Sequence, residues 1–168
     1  MVFGRARAAL AIAGCLALLG CGSSAEGPGP RACERLAKAD LPSLLGGQIR
    51  PPEQRIDDAT ERRIYISTCS VRRLHGARSL SLFLREHRRP DLPIASEQIR
   101  RMTEGLSRDA LSSAWLDIEG LGEAAAWEPN LRQLVFVDDE GRQAFILSIG
   151  PGGDPLVIAR AAAEAVLN

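Results

Sequence analysis

Apolar residues recur along this chain in two rhythms, and the places where one gives way to the other predict its elements. Leu80, Leu82 and Leu84 alternate with Ser79, Ser81 and Phe83, which is the period of a half-buried strand. Residues 63–73, RIYISTCSVRR, are rich in β-branched and aromatic side chains and predict a strand just before it. There Ile64 and Ile66 share one face, and Tyr65, Cys69 and Val71 share the other. His75-Gly76 predicts the turn between the two. Upstream, Leu36, Ala37, Leu41, Leu44 and Leu45 predict a helix in two pieces over 32–45, with Asp40 capping the second and Pro42 near its start. Gly46-Gly47 ends it, and Arg50-Pro51-Pro52 forces an extended stretch. Downstream, Ser96 caps an amphipathic helix carrying Ile99, Met102, Leu106, Ala110 and Ala114 at spacings of three and four.

The last third returns to strands. Residues 115–118 and 124–127 are short strand candidates around Gly120 and Gly122. Residues 131–137 and 142–149 flank Asp138-Asp139-Glu140-Gly141 and predict a hairpin. Asp154 caps and Pro155 opens a final helix whose expected apolar face is Val157, Ile158, Ala161, Ala165 and Val166. The expected fold class is therefore α+β: one antiparallel sheet of about five or six strands packed against helices, in the order helix, strands, helix, strands, helix.

The first 30 residues follow neither rhythm. Arg5 and Arg7 precede the uncharged run AALAIAGCLALL at 8–19, which is too short to span a bilayer and has the form of a secretory signal. Leu18-Leu19-Gly20-Cys21 follows, and it resembles the lipobox of bacterial lipoprotein precursors. The resemblance implies cleavage after Gly20, a diacylglycerol on the Cys21 sulfur, and a mature protein anchored to a membrane by its acyl chains. Two chains suffice for a stable anchor, where one binds only reversibly. Residues 22–30, GSSAEGPGP, hold no large apolar side chain and predict a flexible tether. The expected organisation is a signal peptide at 1–20, a lipidated Cys and tether at 21–30, and a single domain at 31–168. Residue 22 is Gly and not Asp, so in a two-membrane cell the expected site is the outer membrane facing the periplasm. Otherwise it is the outer face of the cell membrane.

Of the four Cys, Cys15 leaves with the signal and Cys21 takes the lipid. Cys33 and Cys69 remain, and in an oxidising compartment they are expected to form a disulfide. Metal binding is the rival role, disfavoured by the lack of CxxC spacing and of a nearby His. Charge is unevenly spread. Residues 62–108 hold 11 Arg against 4 acids, and residues 109–168 hold 10 acids against 3 Arg. Lys38 is the only Lys, so the Arg bias also fits genomic composition. Arg72, Arg73, Arg85, Arg88 and Arg89 stand at the ends of the two adjacent strands and are the candidate contacts for an anionic partner. The expectation is that they gather at one rim of the sheet.

Cys33 in a first helix, Leu44-Leu45-Gly46, Cys69 in a strand, and Gly120-Leu121-Gly122-Glu123-Ala124-Ala125-Ala126-Trp127 ahead of a hairpin and an Ala-rich helix form a recurring layout. It resembles small exported bacterial lipoproteins of unknown function, and is similar to the extracellular sensor domains of some bacterial serine/threonine kinases. The resemblance covers nearly all of the expected mature chain and implies a fold and a compartment. It carries over no catalytic residue, and the second disulfide of some such sensor domains has no counterpart here.

Chemistry-bearing residues have simple structural roles. His75 lies beside a turn glycine and His87 among charged neighbours, without HExxH spacing. Cys69 could act as a nucleophile only if Cys33 were free. Asp57-Asp58 and Asp138-Asp139-Glu140 lack the alternation of a Ca²⁺ loop. The glycines at 150–153 precede a helix start, but Asp154 would repel a phosphate there. Trp115 and Trp127 are expected in the core. No catalytic residue, metal, cofactor or nucleic-acid partner is expected. The leading functional expectation is a membrane-anchored envelope lipoprotein with a non-enzymatic domain that binds an envelope protein or an anionic ligand. An enzyme acting on envelope material, or a structural subunit of an envelope complex, remain as alternatives.

Overall fold

Seven strands pair into one sheet in a computed structural model of the chain, which describes residues 31–59, 64–87, 97, 100–101, 115–138 and 140–168. The strands are β1 (Glu53–Ala59), β2 (Ile64–Arg72), β3 (Ser79–His87), β4 (Leu116–Asp117), β5 (Ala124–Glu128), β6 (Gln133–Val137) and β7 (Gln143–Ile149). The helices lying wholly within the described residues are α1 (Ala32–Leu36), α2 (Leu41–Leu45) and α3 (Pro155–Leu167). The strands run β1-β2-β3-β7-β6-β5-β4 across the sheet, and every neighbouring pair is antiparallel. Two meanders, β1 to β3 and β4 to β7, thus meet where β3 pairs with β7.

A single antiparallel sheet with helices is what the pattern predicts, but the count is seven, not five or six. The additional strand is β1, EQRIDDA. Its composition is that of an exposed edge: Arg55, Ile56 and Asp57 all face solvent. It is a strand because β2 supplies a complete ladder of partners, from Glu53 opposite Ser70 to Ala59 opposite Ile64. Of the amphipathic helix expected after Ser96, only Glu97, Arg100 and Arg101 are described, and they are helical. The remainder lies outside the described residues. Hydrogen bonds from Arg100 and Arg101 hold the Glu97 carboxyl down at about 2.

One face of the sheet packs on the helices. Tyr65, Cys69 and Val71 from β2, Leu80, Leu82 and Leu84 from β3, Phe145, Leu147 and Ile149 from β7, and Leu134 and Phe136 from β6 bury there with Leu36, Leu41, Leu45, Ile158, Ala162 and Val166. Phe136 and Phe145 are direct cross-strand partners and stack with ring centroids 4.7 Å apart. On the opposite face Ala126, Val135, Val137 and Ala144 form a second buried cluster with Trp115, Ala124 and Ile146. The buried face of α3 is Ile158, Ala159, Ala162, Ala163 and Val166, whereas Val157 is 63% exposed. The expected stripe was therefore about one residue out of register, because alanines at both margins of the apolar face blur its boundary.

Helix starts and turns follow local chemistry. Asp154 accepts from the N–H groups of Leu156 and Val157, capping α3. Asp40 caps α2, and its carboxyl is held below the usual range by the hydroxyl and N–H of Ser43. The α1 start is satisfied differently. The Ala32 N–H donates to Ser67 Oγ at 3.0 Å, which accounts for a fully buried Ser on an otherwise apolar face. Two residues further along the same face, Cys69 bonds to Cys33 with a Cα separation of 4.9 Å, stapling α1 to β2.

Candidate functional site

The β2–β3 hairpin closes through residues 73–78, with the Arg73 N–H donating to the Arg78 carbonyl at 3.0 Å and Gly76 at φ +102°. The closure places Arg72 and Arg73 on one limb and Arg78 on the other. The segment ahead of β1 then runs beside the first limb. The Arg50 N–H donates to the Arg72 carbonyl at 2.8 Å, and the Leu74 N–H donates to the Gln48 carbonyl at 2.7 Å. Pairing thus brings in Arg50, which the proline pair that follows it had marked only as extended chain. The four arginines and the Ser70, Ser79 and Ser81 residues line a cleft of about 300 Å³ at this end of the sheet.

Glycines make room for the guanidinium groups. A Cβ on Gly46 would lie 2.6 Å from Arg78 Nη1, and one on Gly152 would lie 2.9 Å from Arg78 Nε. Arg78 therefore threads between the C-cap of α2 and the loop ahead of α3. Arg73 lies against Gly47 in the same way. Among the described residues the ion pairs involve Arg31, Arg100, Arg101, Arg142 and Arg160, and none involves Arg50, Arg72, Arg73 or Arg78. Four guanidinium groups share a cleft, and among the described residues no carboxylate is at ion-pair distance from them. Each carries a fork of donors suited to a phosphate or carboxylate.

A second groove of about 370 Å³ adjoins the first on the outer face of β1, β2, β3 and β7, and Ser70, Arg72 and Ser81 line both. Its floor includes Thr68, Phe83, Ile146 and Ser148, with Glu53 and Arg55 at the β1 side. The ladder puts Glu53, Ser70, Ser81, Ser148 and Gln133 in one row across the sheet. Ser70 and Ser81 share a hydrogen bond of 3.1 Å, and Gln133 donates to Ser148 at 3.2 Å.

The other candidates fall elsewhere. Arg85 is six residues along β3 from Ser79, the partner of Arg72, so it stands about 20 Å away at the far end of the hairpin. Antiparallel pairing makes this unavoidable, and the single rim expected from Arg72, Arg73 and Arg85 is not formed. Arg88 and Arg89 lie outside the described residues. Arg50 and Arg78 take their place in the cleft. Arg78 could have been found by weighting both limbs of the hairpin equally, whereas no local signal marked Arg50. His75 is exposed at the turn, and Asp57 is exposed on β1. Asp138 accepts from the N–H groups of Arg142 and Gln143, a turn role, and Glu140 pairs with Arg142. Glu128, fully buried, accepts from Asn130 Nδ2 and from the Leu131 N–H, closing the β5–β6 turn. Trp127 is in the core and Trp115 borders the second cluster. Among the described residues no three His, Cys, Asp or Glu side chains are grouped to hold a metal, and no helix is long and apolar enough to cross a membrane. In comparisons with known proteins, the chain matches no family model, no curated protein and no solved structure.

Proposed function

We propose that this chain is a lipid-anchored envelope protein whose domain works by binding an anionic ligand in the arginine cleft, not by catalysis. The observation that carries the reading is the set of four arginines, Arg50, Arg72, Arg73 and Arg78, gathered around one opening with no carboxylate of the described residues at ion-pair distance. Like charges at close quarters raise one another's energy, and an anion entering the cleft relieves that repulsion while accepting charge-assisted hydrogen bonds. The lipobox-like residues ending at Cys21 and the tether that follows them support a domain held near, but free of, a membrane surface.

Two outcomes are expected. The full chain, kept in a non-ionic detergent, binds inorganic phosphate, and Arg72→Ser with Arg73→Ser weakens binding by tenfold or more. That follows from about 1.5–3 kcal/mol for a hydrogen bond to a charged group. Raising salt weakens binding in the same direction, while Arg85→Ser leaves it unchanged. Titration followed by NMR or calorimetry reads this directly, and an Arg72/Arg73 double variant that binds as the parent does would overturn the reading. Separately, a labelled fatty acid is incorporated into the wild-type chain in growing bacteria and not into Cys21→Ser. Equal labelling of the two would remove the anchor from the proposal.

A further inference from the structure

The cleft and the outer face of the sheet are one continuous surface, because Ser70, Arg72 and Ser81 line both parts. The chemistry changes along it. The hairpin end gathers the four guanidinium groups, with hydroxyls at its margin. The face beyond offers hydroxyls at Thr68, Ser70, Ser81 and Ser148, with the half-buried Phe83 beside Ile146.

A hydroxyl has one donor and two acceptor positions. Ser70 and Ser81 use one donor between them, and Ser148 accepts from Gln133, so the row keeps donors and acceptors for a ligand. A sugar ring needs this mixture, since each of its hydroxyls both donates and accepts. Its C–H face packs on apolar or aromatic surface, which Phe83 and Ile146 supply between the hydroxyl positions. An extended peptide fits less well. β2, β3 and β7 each have a strand on both sides, so their main-chain groups are engaged in the ladder. Recognition of a peptide by strand addition needs a free sheet edge, which on this side of the sheet is β1 and not the strands that floor the groove.

We infer that the ligand is an acidic saccharide, bound with its phosphate or carboxylate among Arg50, Arg72, Arg73 and Arg78 and its sugar ring over Thr68, Ser81, Phe83 and Ser148. The inference rests on the reading of the arginine cleft as an anion site and adds the ring to it. Both grooves are at the lower end of the range of about 300–1,000 Å³ that small-molecule sites occupy.

Three soluble probes and one surface separate the possibilities: inorganic phosphate, glucose, glucose 6-phosphate, and vesicles of phosphatidylglycerol. All are titrated against the full chain in non-ionic detergent, apart from the vesicles, which receive the chain after detergent removal. Glucose 6-phosphate is expected to bind at least fivefold tighter than phosphate, with glucose alone far weaker than either. Phe83→Leu and Ser148→Ala each bring the ratio of glucose 6-phosphate to phosphate affinity towards one, and circular dichroism checks that both variants fold. Equal affinity for phosphate and glucose 6-phosphate in the parent protein overturns the saccharide and leaves the anion site standing. Absence of binding to either overturns the anion site and the saccharide with it. Tighter binding to these vesicles than to phosphatidylcholine vesicles, which the acyl anchor enters equally, also overturns the saccharide when glucose 6-phosphate does not displace it, in favour of an anionic lipid headgroup.

Discussion

Replacing Cys33 and Cys69 together by Ala is expected to lower the free energy of unfolding by about 4 kcal/mol, the loop-closure entropy of a crosslink spanning 36 residues. Domains of this size are stable by about 5–15 kcal/mol, so the loss is a large fraction of the whole and Tm falls by roughly 10–20 °C. The effect is concentrated at α1. Five residues cannot hold a helix in water. Without the bond, α1 is retained by burial of Ala32 and Leu36 and by the hydrogen bonds from Ala32 to Ser67 and from Arg35 to Gln143. Denaturant unfolding of the variant, and of the parent after thiol reduction, should give the same shift. Hydrogen exchange at Leu36 and Ala37 should accelerate more than exchange in β6 or β7. A stability loss below about 1 kcal/mol would mean that packing alone positions the helix.

Gly122→Ala is the second large effect. Gly122 has φ +59°, and a Cβ there would lie 2.0 Å from the Val137 carbonyl oxygen. The obstacle is backbone in a sheet, because the Glu123 N–H donates to that same carbonyl and β5 begins to pair with β6 one residue later. The left-handed backbone and the collision add, and the expected cost is about 2–5 kcal/mol. Gly76→Ala serves as the comparison. Gly76 also has a positive φ, but a Cβ there meets nothing within 4 Å, so only the backbone term of about 1–3 kcal/mol applies. If chemical denaturation finds the two variants equally destabilised, the close approach at Val137 contributes nothing and the argument from it fails.

Much of the sheet was legible because its strands have two unlike faces. The alternation of Leu80, Leu82 and Leu84 with Ser79, Ser81 and Phe83 reports burial on one side, and the structure places those leucines in the core. The β6–β7 hairpin was legible from its turn, whose Asp138 makes the hydrogen bonds that residue type favours there. β1 was not legible. A strand whose Arg55, Ile56 and Asp57 are all exposed carries no hydrophobic period, and EQRIDDA owes its conformation to β2. Gly120 and Gly122 were legible as the link between two short strands, but not that Gly122 passes a carbonyl of another strand.

The candidate site divides along the same line. Arg72 and Arg73 could be named from the chain because they end a recognisable strand beside a recognisable turn. Whether they meet Arg85 depends on strand direction and register, and these separate the two ends of β3 by about 20 Å. By itself the sequence determined what local chemistry controls: the alternating strands, the capped helices, the turn residues, and the presence of one pair of Cys, Cys33 and Cys69, between residues 31 and 168. Only the tertiary structure decided which arginines share a cleft, that Gly46, Gly47 and Gly152 leave space for them, and that a row of serines from three strands continues the surface. The physical reason is range. Periodicity, caps and turns act over a few residues, whereas Arg50, Ser70, Arg78 and Ser148 become neighbours only through ladders between segments far apart in the chain.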